Sequence, residues 1–442
     1  MKVIIIGGVA AGMSAASKLK RLDDQATIKV YEKGEDLSYS GCGMPYYLGD
    51  IVTDEQRLIA RTKEDFEAQG IEVYLNHEVI SVNHKEKTVT IRNLETNKEI
   101  IDTYDKLLIG TGTYANRTNT PGSEKVNVYV LNQLEDMRAL KPVIDKAKSV
   151  AVIGGGYIGI EVAENLAHKG IKVDIIELAP QLLTVYDKAI AQKAQEALEQ
   201  KGVKVHLNEK LLKYDLENNK TIITTDKTNY EVDVIIEAIG VRPNTAFLKD
   251  TGMEMLRNGA IVINDKCETN LKDIYAAGDC AAYHHLIKNE LAYVPLGTHA
   301  NKTGRIVAEN MVGLDSKFNG IVGSNIIKVT DLAFAKTGIG IDEAKRLNLD
   351  YDYVDVTAKN QTGYYPGAKS IFMRIVYEKS TGILKGAQLV GEKGVSDRIN
   401  IMALAITKSL TAKEFSQLDF AYAPPFSPVW DPLQVATNQI KV

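Results

Sequence analysis

Short apolar runs alternate with glycine-rich turns and amphipathic stretches at the start of the chain. Residues 3–6 (VIII) predict a buried parallel strand, and residues 7–12 (GGVAAG) predict a tight turn. Residues 13–21 then predict a helix, and the run TIKVYEK at 27–33 predicts a second strand. This order of elements is the beginning of a βαβ unit.

The glycine turn has the chemistry of a dinucleotide site. Gly7 and Gly12 let the backbone approach a pyrophosphate held at the helix N-terminus. Glu32, twenty residues after Gly12, ends the second strand where a ribose hydroxyl needs an acceptor. Val9 departs from the pattern G-x-G-x-x-G because it occupies the middle glycine position.

The same pattern returns in the middle of the chain, in SVAVIGGGYIGIEVAENLAHKGIKVDIIELAP. Here Gly154, Gly156 and Gly159 fill all three glycine positions, the predicted helix runs to about Lys169, and Glu177 closes the next strand. Two such units predict two bound dinucleotides. The useful pair is a hydride donor beside a tightly held electron acceptor, so we expect a nicotinamide dinucleotide and a flavin, FAD.

Glu177 also bears on which nicotinamide dinucleotide binds. A carboxylate at this position accepts a hydrogen bond from a ribose 2′-hydroxyl and repels a 2′-phosphate. The residues ELAPQ that begin at Glu177 supply no arginine for such a phosphate. The sequence therefore predicts NADH in preference to NADPH.

A later segment, DIYAAGD, predicts a short buried strand that ends in Gly278 and Asp279. One interpretation is that the Asp279 carboxylate binds the hydroxyls of a flavin side chain at a following helix. The other is that Asp279 is an N-cap of that helix. The local sequence leaves both open.

Composition excludes several other classes of function. The 442 residues predict roughly two to four domains. A net charge of -4 gives no electrostatic footprint for nucleic acid, and no apolar run approaches the length of a membrane span. We therefore expect a cytoplasmic protein whose partners are small molecules.

Cysteine is rare and widely spaced in this chain. Cys42, Cys267 and Cys280 form no C-x-x-C motif, so the sequence supports neither a disulfide framework nor a metal site. Cys267 and Cys280 are expected to be packing residues. Any thiol chemistry therefore involves a single protein sulfur, which points to Cys42.

Three further motifs follow the first glycine turn. YDKLLIGTGT lies before the second glycine turn, and AIGVRPNT and then IYAAGDC lie after it. With them, the chain resembles the two-dinucleotide flavoprotein disulfide reductases along nearly its whole length. The resemblance implies an α/β fold with two Rossmann-like domains and an α+β C-terminal dimerisation domain. It places FAD on residues 1–113 and 241–320, NAD(H) on 114–240 and the homodimer interface on 321–442.

The segment around Cys42 points to one branch of this family. The run SYSGC at 38–42 resembles the S-[FY]-x-x-C motif of the single-cysteine branch. Glutathione reductase-like members have two cysteines spaced C-x-x-x-x-C, but Leu37 and Tyr47 occupy the positions five residues from Cys42. The branch contains coenzyme A disulfide reductases, NADH oxidases and NADH peroxidases.

A single cysteine beside a reduced flavin has three natural reactions. It forms a mixed disulfide with a substrate thiol, it is oxidised by peroxide to a sulfenic acid, or that sulfenic acid serves oxygen reduction. Each reaction needs a thiolate. The run CGMPYYL predicts a helix start with Pro45 in its first turn, so we expect the helix N-terminus to lower the pKa of the Cys42 thiol.

Other positions favour the disulfide reaction. Ala10 stands in the first glycine turn where peroxidase and oxidase members carry a histidine. The runs KRLD, GYYPG and FAYAPPFSP resemble the coenzyme A branch, although SPVWDP also resembles oxidase-like members. We therefore expect reduction of coenzyme A disulfide, or of a coenzyme A persulfide or polysulfide, with an NADH oxidase or peroxidase as the alternative. A redox sensor is disfavoured, because a sensor needs no hydride donor.

Two arginines and two tyrosines have roles that the resemblance suggests. Arg21 would pair with a phosphate at the adenosine end of coenzyme A, and Arg61 is a second candidate; solvated surface arginines are the alternative. Tyr365 and Tyr422 would reach Cys42 of the other subunit and donate a proton to the departing thiolate, or act as interface anchors.

The resemblance assigns further contacts by position. For FAD it implies Gly7, Gly8, Val9, Ala10, Ala11, Gly12, Glu32, Lys33, Ser38, Val79, Thr111, Gly112, Gly278, Asp279, Pro295, Leu296 and Tyr422. For NAD(H) it implies Gly154, Gly156, Tyr157, Ile158, Gly159, Glu177 and Gly240. For coenzyme A it implies Ser14, Lys18, Arg21, Ser38, Arg61, Asn301 and Trp430, with Gly41 in place of an asparagine beside the cysteine of some members.

Overall fold

A computed structural model describes residues 1–218 and 220–441 of the chain. The elements before residue 116 are β1 (Lys2–Ile6), α1 (Ala10–Leu22), β2 (Thr27–Tyr31), α2 (Met44–Leu48), α3 (Lys63–Glu67), β3 (Ile71–Tyr74), β4 (His77–Asn83), β5 (Thr88–Asn93), β6 (Glu99–Thr103), β7 (Lys106–Ile109) and β8 (Thr113–Ala115). Short 3₁₀ turns at Gly41–Gly43 and Glu55–Leu58 complete this region.

The middle of the chain contains a second series of strands and helices. They are β9 (Val128–Tyr129), α4 (Leu134–Ile144), β10 (Ser149–Ile153), α5 (Tyr157–His168), β11 (Lys172–Ile176), α6 (Lys188–Gln200), β12 (Lys204–His206), β13 (Leu211–Glu217), β14 (Lys220–Thr225), β15 (Asn229–Val232), β16 (Val234–Glu237) and β17 (Val241–Pro243).

The remaining elements follow a 3₁₀ turn at Ala246–Leu248. They are β18 (Ile261–Val262), β19 (Ile274–Ala276), β20 (Ala281–His285), β21 (Glu290–Ala292), α7 (Gly297–Met311), β22 (Asn325–Val329), β23 (Leu332–Gly338), α8 (Ile341–Arg346), β24 (Tyr351–Lys359), β25 (Ser370–Glu378), β26 (Leu384–Gly391), α9 (Val395–Thr407), α10 (Ala412–Ser416) and α11 (Pro432–Thr437).

The first apolar run forms the central strand of a five-stranded parallel sheet. Its order is β19-β7-β1-β2-β3, and all four pairings are parallel. Val3, Ile4 and Ile5 are fully buried, as expected for a strand covered on both faces. Because β19 pairs with β7, the chain returns to this sheet after building a separate one.

The second glycine turn belongs to that separate sheet. Its order is β12-β11-β10-β16-β9, and it is again parallel throughout. The predicted helices are present in both units: the helix expected at 13–21 is α1, and the one expected to end near Lys169 is α5, which ends at His168. The two units therefore have the same strand–turn–helix–strand plan.

The C-terminal region is built differently. Strands β22, β23, β26, β25 and β24 form an antiparallel sheet, against which α9 packs. Two parallel-sheet units and an α+β region confirm the predicted fold class. The domain boundaries near residues 113, 240 and 320 stay a prediction.

Helices α1 and α7 cross in close contact above the first sheet. A Cβ atom added to Gly304 in α7 would overlap the carbonyl oxygen of Ala11 in α1. Gly278, at the end of β19, has a φ of +81° and would bring a Cβ within 3.0 Å of the Ala11 side chain. Because glycine has no side chain at positions 304 and 278, the two helices and the end of β19 can meet at the first glycine turn.

A buried ion pair joins two C-terminal loops. Arg398 in α9 lies 2.8 Å from Asp431, and the two side chains are 7% and 9% exposed. The Arg398 guanidinium also donates to the carbonyl oxygens of Asn360 and Gly394, each at 3.0 Å. Arg398 therefore fixes the loop after β24 to the segment that leads into α11.

Replacing Arg398 with Met leaves the Asp431 carboxylate buried without its partner. We expect the free energy of unfolding to fall by about 3–5 kcal/mol, because the lone charge is poorly solvated. Denaturant unfolding of the purified protein measures this. Arg92→Met is the matched control, because Arg92 pairs with Glu99 at the surface and its loss should cost at most about 1 kcal/mol. Equal losses in the two variants would contradict the expectation.

Candidate active site

A cavity of about 710 Å³ opens at the carboxyl end of the first sheet. The first glycine turn, the segment around Cys42, the end of β19 and the first half of α7 surround it. The predicted residues that line it are Gly7, Val9, Ala10, Ala11, Ser14, Arg21, Glu32, Ser38, Cys42, Arg61, Thr111, Gly112, Ile158, Gly278, Asp279 and Asn301. Ligands commonly bind at this edge of a parallel sheet.

The same steric constraints act in both glycine turns, and they explain why a valine is tolerated at position 9. Gly7 has a φ of +100°, and a Cβ on Gly12 would overlap the Gly7 carbonyl oxygen. The corresponding Gly154 and Gly159 meet in the same way. A Cβ on the middle residue, Gly156, would meet no protein atom within 4 Å. The fold therefore requires glycine at the outer positions, while Val9 is tolerated at the middle one.

Two carboxylates hold the turns in place. The Gly8 N–H donates to Glu32 Oε2 at 2.6 Å, and the Gly155 N–H donates to Glu177 Oε2 at the same distance. Burial raises the pKa of the Glu32 carboxyl, although backbone hydrogen bonds to the carboxylate oppose the shift. Each carboxylate oxygen has a second lone pair, so ribose hydroxyls can still donate to it.

Asp279 and Thr111 show whether FAD fits this cavity. Asp279 Oδ1 and Thr111 Oγ1 are buried and have no hydrogen-bond partner within the described residues. Burial raises the pKa of Asp279 to about 6. Buried polar atoms normally have partners, and the ribityl hydroxyls of a flavin would supply them. The lining residues therefore fit FAD.

The alternative role for Asp279 as a helix N-cap is wrong. The residues after Cys280 form strand β20, so the expected helix is absent at this point. The helix that does approach Gly278 is α7, which begins 18 residues after Asp279 in sequence, at Gly297. Sequence alone placed a helix here because Asp before an apolar run is typical of a cap.

Cys42 lies in the 3₁₀ turn Gly41–Gly43 at the start of α2, and its side chain lines the cavity. The expected lowering of its pKa is wrong: burial raises the pKa of the Cys42 thiol, and the carboxylates of Glu161 and Asp279 add to the rise. The five-residue helix α2 has too few peptide dipoles to offset these effects. Burial and these two carboxylates therefore favour the protonated thiol in the protein alone.

Glu161 is a site residue that sequence reasoning missed. It lies in α5 of the second unit and lines the cavity with Ile158. Burial and the Glu164 carboxylate raise its pKa to about 7. The available signal was its spacing: Glu161 follows Ile158 by three residues and shares its helix face. The second unit therefore contributes a titratable group near Cys42.

Other predicted residues lie outside the lining. Lys18 pairs with Glu309 at 2.9 Å, Lys33 pairs with Glu78 at 2.8 Å, and Val79 is in the core. Gly8 and Gly12 are in the first turn, Pro295 and Leu296 directly precede α7, and Gly154, Gly156, Tyr157, Gly159, Glu177 and Gly240 surround the second turn. Tyr365, Tyr422 and Trp430 are 41%, 48% and 55% exposed on the C-terminal region.

The other two cysteines are packing residues, as predicted. Cys267 and Cys280 are fully buried, and burial raises the pKa of each thiol, to about 12 and about 11. Neither lines the cavity. Cys42 is therefore the one cysteine of the described residues that lines the cavity.

Among the described residues, no helix is long and apolar enough to cross a membrane.

Comparison with known proteins places the chain in a family. The model for pyridine nucleotide-disulphide oxidoreductases matches residues 1–303, and the model for the dimerisation domain of the same family matches residues 324–432.

Individual relatives cover nearly the whole chain. A coenzyme A disulfide reductase of Staphylococcus aureus is 35% identical over 430 residues, 96% of each chain. The NADH-bound water-forming NADH oxidase of Lactobacillus brevis has a TM-score of 0.96 at 30% identity, over 99% of this chain and 98% of that one. A NAD-dependent persulfide reductase of A. fulgidus has a TM-score of 0.96 at 32% identity, over 99% and 83%. The predicted family is confirmed: the chain belongs to the pyridine nucleotide-disulphide oxidoreductases, as a flavoprotein enzyme that uses FAD and NAD(P)H.

Proposed function

We propose that this enzyme uses NADH to reduce coenzyme A disulfide through a mixed disulfide at Cys42, and that it works as a homodimer. The observation that carries the proposal is one accessible thiol in a cavity that arginines also line. Arg21 and Arg61 line the cavity with Cys42, whereas Cys267 and Cys280 are fully buried. The partner sulfur must therefore come from the substrate. A cytoplasmic location stays a prediction from the sequence.

Thiol–disulfide exchange accounts for the reaction at Cys42. The thiolate attacks one sulfur of the disulfide, a Cys42–coenzyme A bond forms, and the other coenzyme A leaves as a thiolate. When bound, FAD supplies the electron pair, taken from NADH, that returns Cys42 and the second coenzyme A to thiols. One proton is taken up from solution in the complete reaction, because NADH supplies the other hydrogen together with the electron pair.

The residues beside Cys42 leave room for this exchange. A Cβ on Gly41 would have the Met44 side chain as its sole neighbour within 4 Å, at 3.7 Å. On the other side, a Cβ on Gly43 would overlap the Leu58 side chain. Gly43 therefore allows the turn to pack on the protein, and Gly41 leaves an open approach for a bulky disulfide.

Tyr365 and Tyr422 do not line the cavity of their own chain. Both lie on segments that are held together: the Thr362 N–H donates to the Pro424 carbonyl oxygen at 3.3 Å, and Tyr365 N–H to the Thr362 carbonyl oxygen at 2.9 Å. Their exposure and the match to a dimerisation domain support a role across the dimer, where either would donate a proton to the departing thiolate.

The main alternative is an NADH oxidase or peroxidase that works through a Cys42 sulfenic acid. The similarity to the Lactobacillus brevis oxidase supports it. Against it, Ala10 lines the cavity, and the lining contains no histidine within the described residues. An acid–base group for peroxide is therefore missing at the first glycine turn.

NADH preference rests on Glu177. Its carboxylate accepts from the N–H groups of Gly155 and Ala179 at 2.6 and 2.7 Å, which fixes a negative charge at the second glycine turn. A 2′-phosphate would meet this charge, whereas a 2′-hydroxyl would donate to it.

Cys42→Ser should abolish NADH consumption with coenzyme A disulfide, because serine cannot form the mixed disulfide. Assays with coenzyme A disulfide, hydrogen peroxide and oxygen measure this, and intact mass shows the adduct that a thiol reductant removes. Cys267→Ala is the matched control and should retain the activity, because that cysteine is buried away from the cavity. Turnover of peroxide without turnover of the disulfide would establish the alternative.

Glu177→Ala should reduce the preference for NADH. We expect the ratio of kcat/KM for NADH to that for NADPH to exceed 1 in the wild type and to fall about tenfold in the variant, because the repulsion of the 2′-phosphate is removed. Steady-state kinetics with both nucleotides measure the ratio. An equal or better wild-type rate with NADPH contradicts the proposed preference.

Glu161→Gln should lower the pKa of the Cys42 thiol. Above pH 7 or so the Glu161 carboxylate is charged and disfavours the nearby thiolate, so a neutral amide removes that effect. The pH dependence of Cys42 alkylation by iodoacetamide measures the shift toward lower pH. Glu196→Gln, at an exposed position of α6, should leave the profile unchanged. An unchanged profile in Glu161→Gln would refute this coupling.

A further inference from the structure

Arg305 in α7 also lines the cavity, and it is not among the site residues that the sequence predicts. It lies between two links from α7 to α1: Ser14 donates to Asn301 at 2.7 Å, and Lys18 pairs with Glu309 at 2.9 Å. Asn301, Arg305 and Glu309 are spaced four residues apart, so they share one helix face. Arg305 therefore belongs to the groove between the two helices.

Arg305 forms no ion pair with a carboxylate of the described residues. The Glu309 carboxylate, one turn later in α7, is taken by Lys18. Within residues 1–218 and 220–441, no carboxylate lies within ion-pairing distance of Arg305, Arg21 or Arg61. Lys18 was expected to contact the substrate, but its charge is neutralised and Arg305 supplies a cation at the same level of the groove.

The three arginines border the same part of the cavity, along α1. Arg21 lies in the last turn of α1. Arg61 approaches the Ser17 hydroxyl at 3.5 Å, and its guanidinium lies 4.2 Å from the Phe66 ring centre, so the side chain is held in place. The Arg61 guanidinium also donates to the Asp65 carbonyl oxygen at 3.2 Å. Three guanidinium groups around one cavity, none of them paired with a carboxylate of the described residues, favour a ligand with several phosphate charges.

We propose that Arg305 acts with Arg21 and Arg61 as a phosphate-binding residue that selects disulfides carrying a nucleotide. This rests on the proposed function and deepens it. Coenzyme A carries a pyrophosphate and a 3′-phosphate, so three phosphate groups would meet three guanidinium groups. Each guanidinium offers paired N–H donors that match phosphate oxygens. The thiol end of the same ligand would then extend toward Cys42.

The test compares Arg305→Gln with wild type on two disulfides. Coenzyme A disulfide carries the phosphates, and pantethine has the same thiol arm without them. We expect KM for coenzyme A disulfide to rise about tenfold, and the ratio of kcat/KM for coenzyme A disulfide to that for pantethine to fall by a similar factor. Arg305→Lys should be intermediate, because lysine keeps the charge and loses the paired donors. Arg257→Gln, exposed and outside the cavity lining, is the matched control and should behave as wild type.

A binding measurement separates this proposal from the proposed reaction. Adenosine 3′,5′-bisphosphate contains two of the three phosphate positions, and calorimetry with the FAD-loaded enzyme needs no turnover. We expect the wild type to bind it, with an affinity that falls as salt rises, and Arg305→Gln to bind it about tenfold more weakly.

Absent wild-type binding, or equal binding by the wild type and Arg305→Gln, would overturn the role of Arg305. An equal loss of kcat/KM for both disulfides would also overturn it, because it would show a general structural effect. Failure of the wild type to reduce any coenzyme A disulfide would instead overturn the proposed reaction, and the binding measurement would still decide the role of Arg305.

Discussion

The close crossing of α1 and α7 is the constraint on which the site depends. Because Gly304 has no side chain, α7 packs against the backbone of α1 at Ala11, beside the first glycine turn. That contact places the start of α7 at the cavity and sets Asn301 and Arg305 opposite α1. A larger residue at position 304 would separate the helices and with them the groups that surround the ligand.

The cavity then combines two opposite electrostatic environments. Near Cys42, burial and the carboxylates of Glu161 and Asp279 disfavour a thiolate in the protein alone. Along α1, the guanidinium groups of Arg21 and Arg305 have no ion-pair partners within the described residues. The carboxylates therefore lie near the thiol, and the positive charges of the cavity lie along α1.

The two nucleotide units show which positions of the glycine motif the fold itself requires. The outer glycines of both turns are required by the protein itself, because their Cβ atoms would overlap backbone oxygens. The middle position faces open space, where Gly156 and Val9 are both accommodated. The two acids, Glu32 and Glu177, hold their turns by equivalent hydrogen bonds at 2.6 Å. The outer glycines of the motif are thus required by the turn itself, whereas the middle position is left to the needs of a ligand.

The sequence by itself determined the two nucleotide units and the family and made Cys42 the candidate thiol, because these depend on local periodicity, on glycine spacing and on the rarity of cysteine. Tertiary structure decided which charges surround that cysteine. Glu161 comes from the second unit and Arg305 from a helix far along the chain, and strand β20 follows Asp279 where a helix was expected. Contacts between segments that are distant in sequence determine how buried the Cys42 site is and which charges surround it. A local sequence pattern therefore cannot predict them.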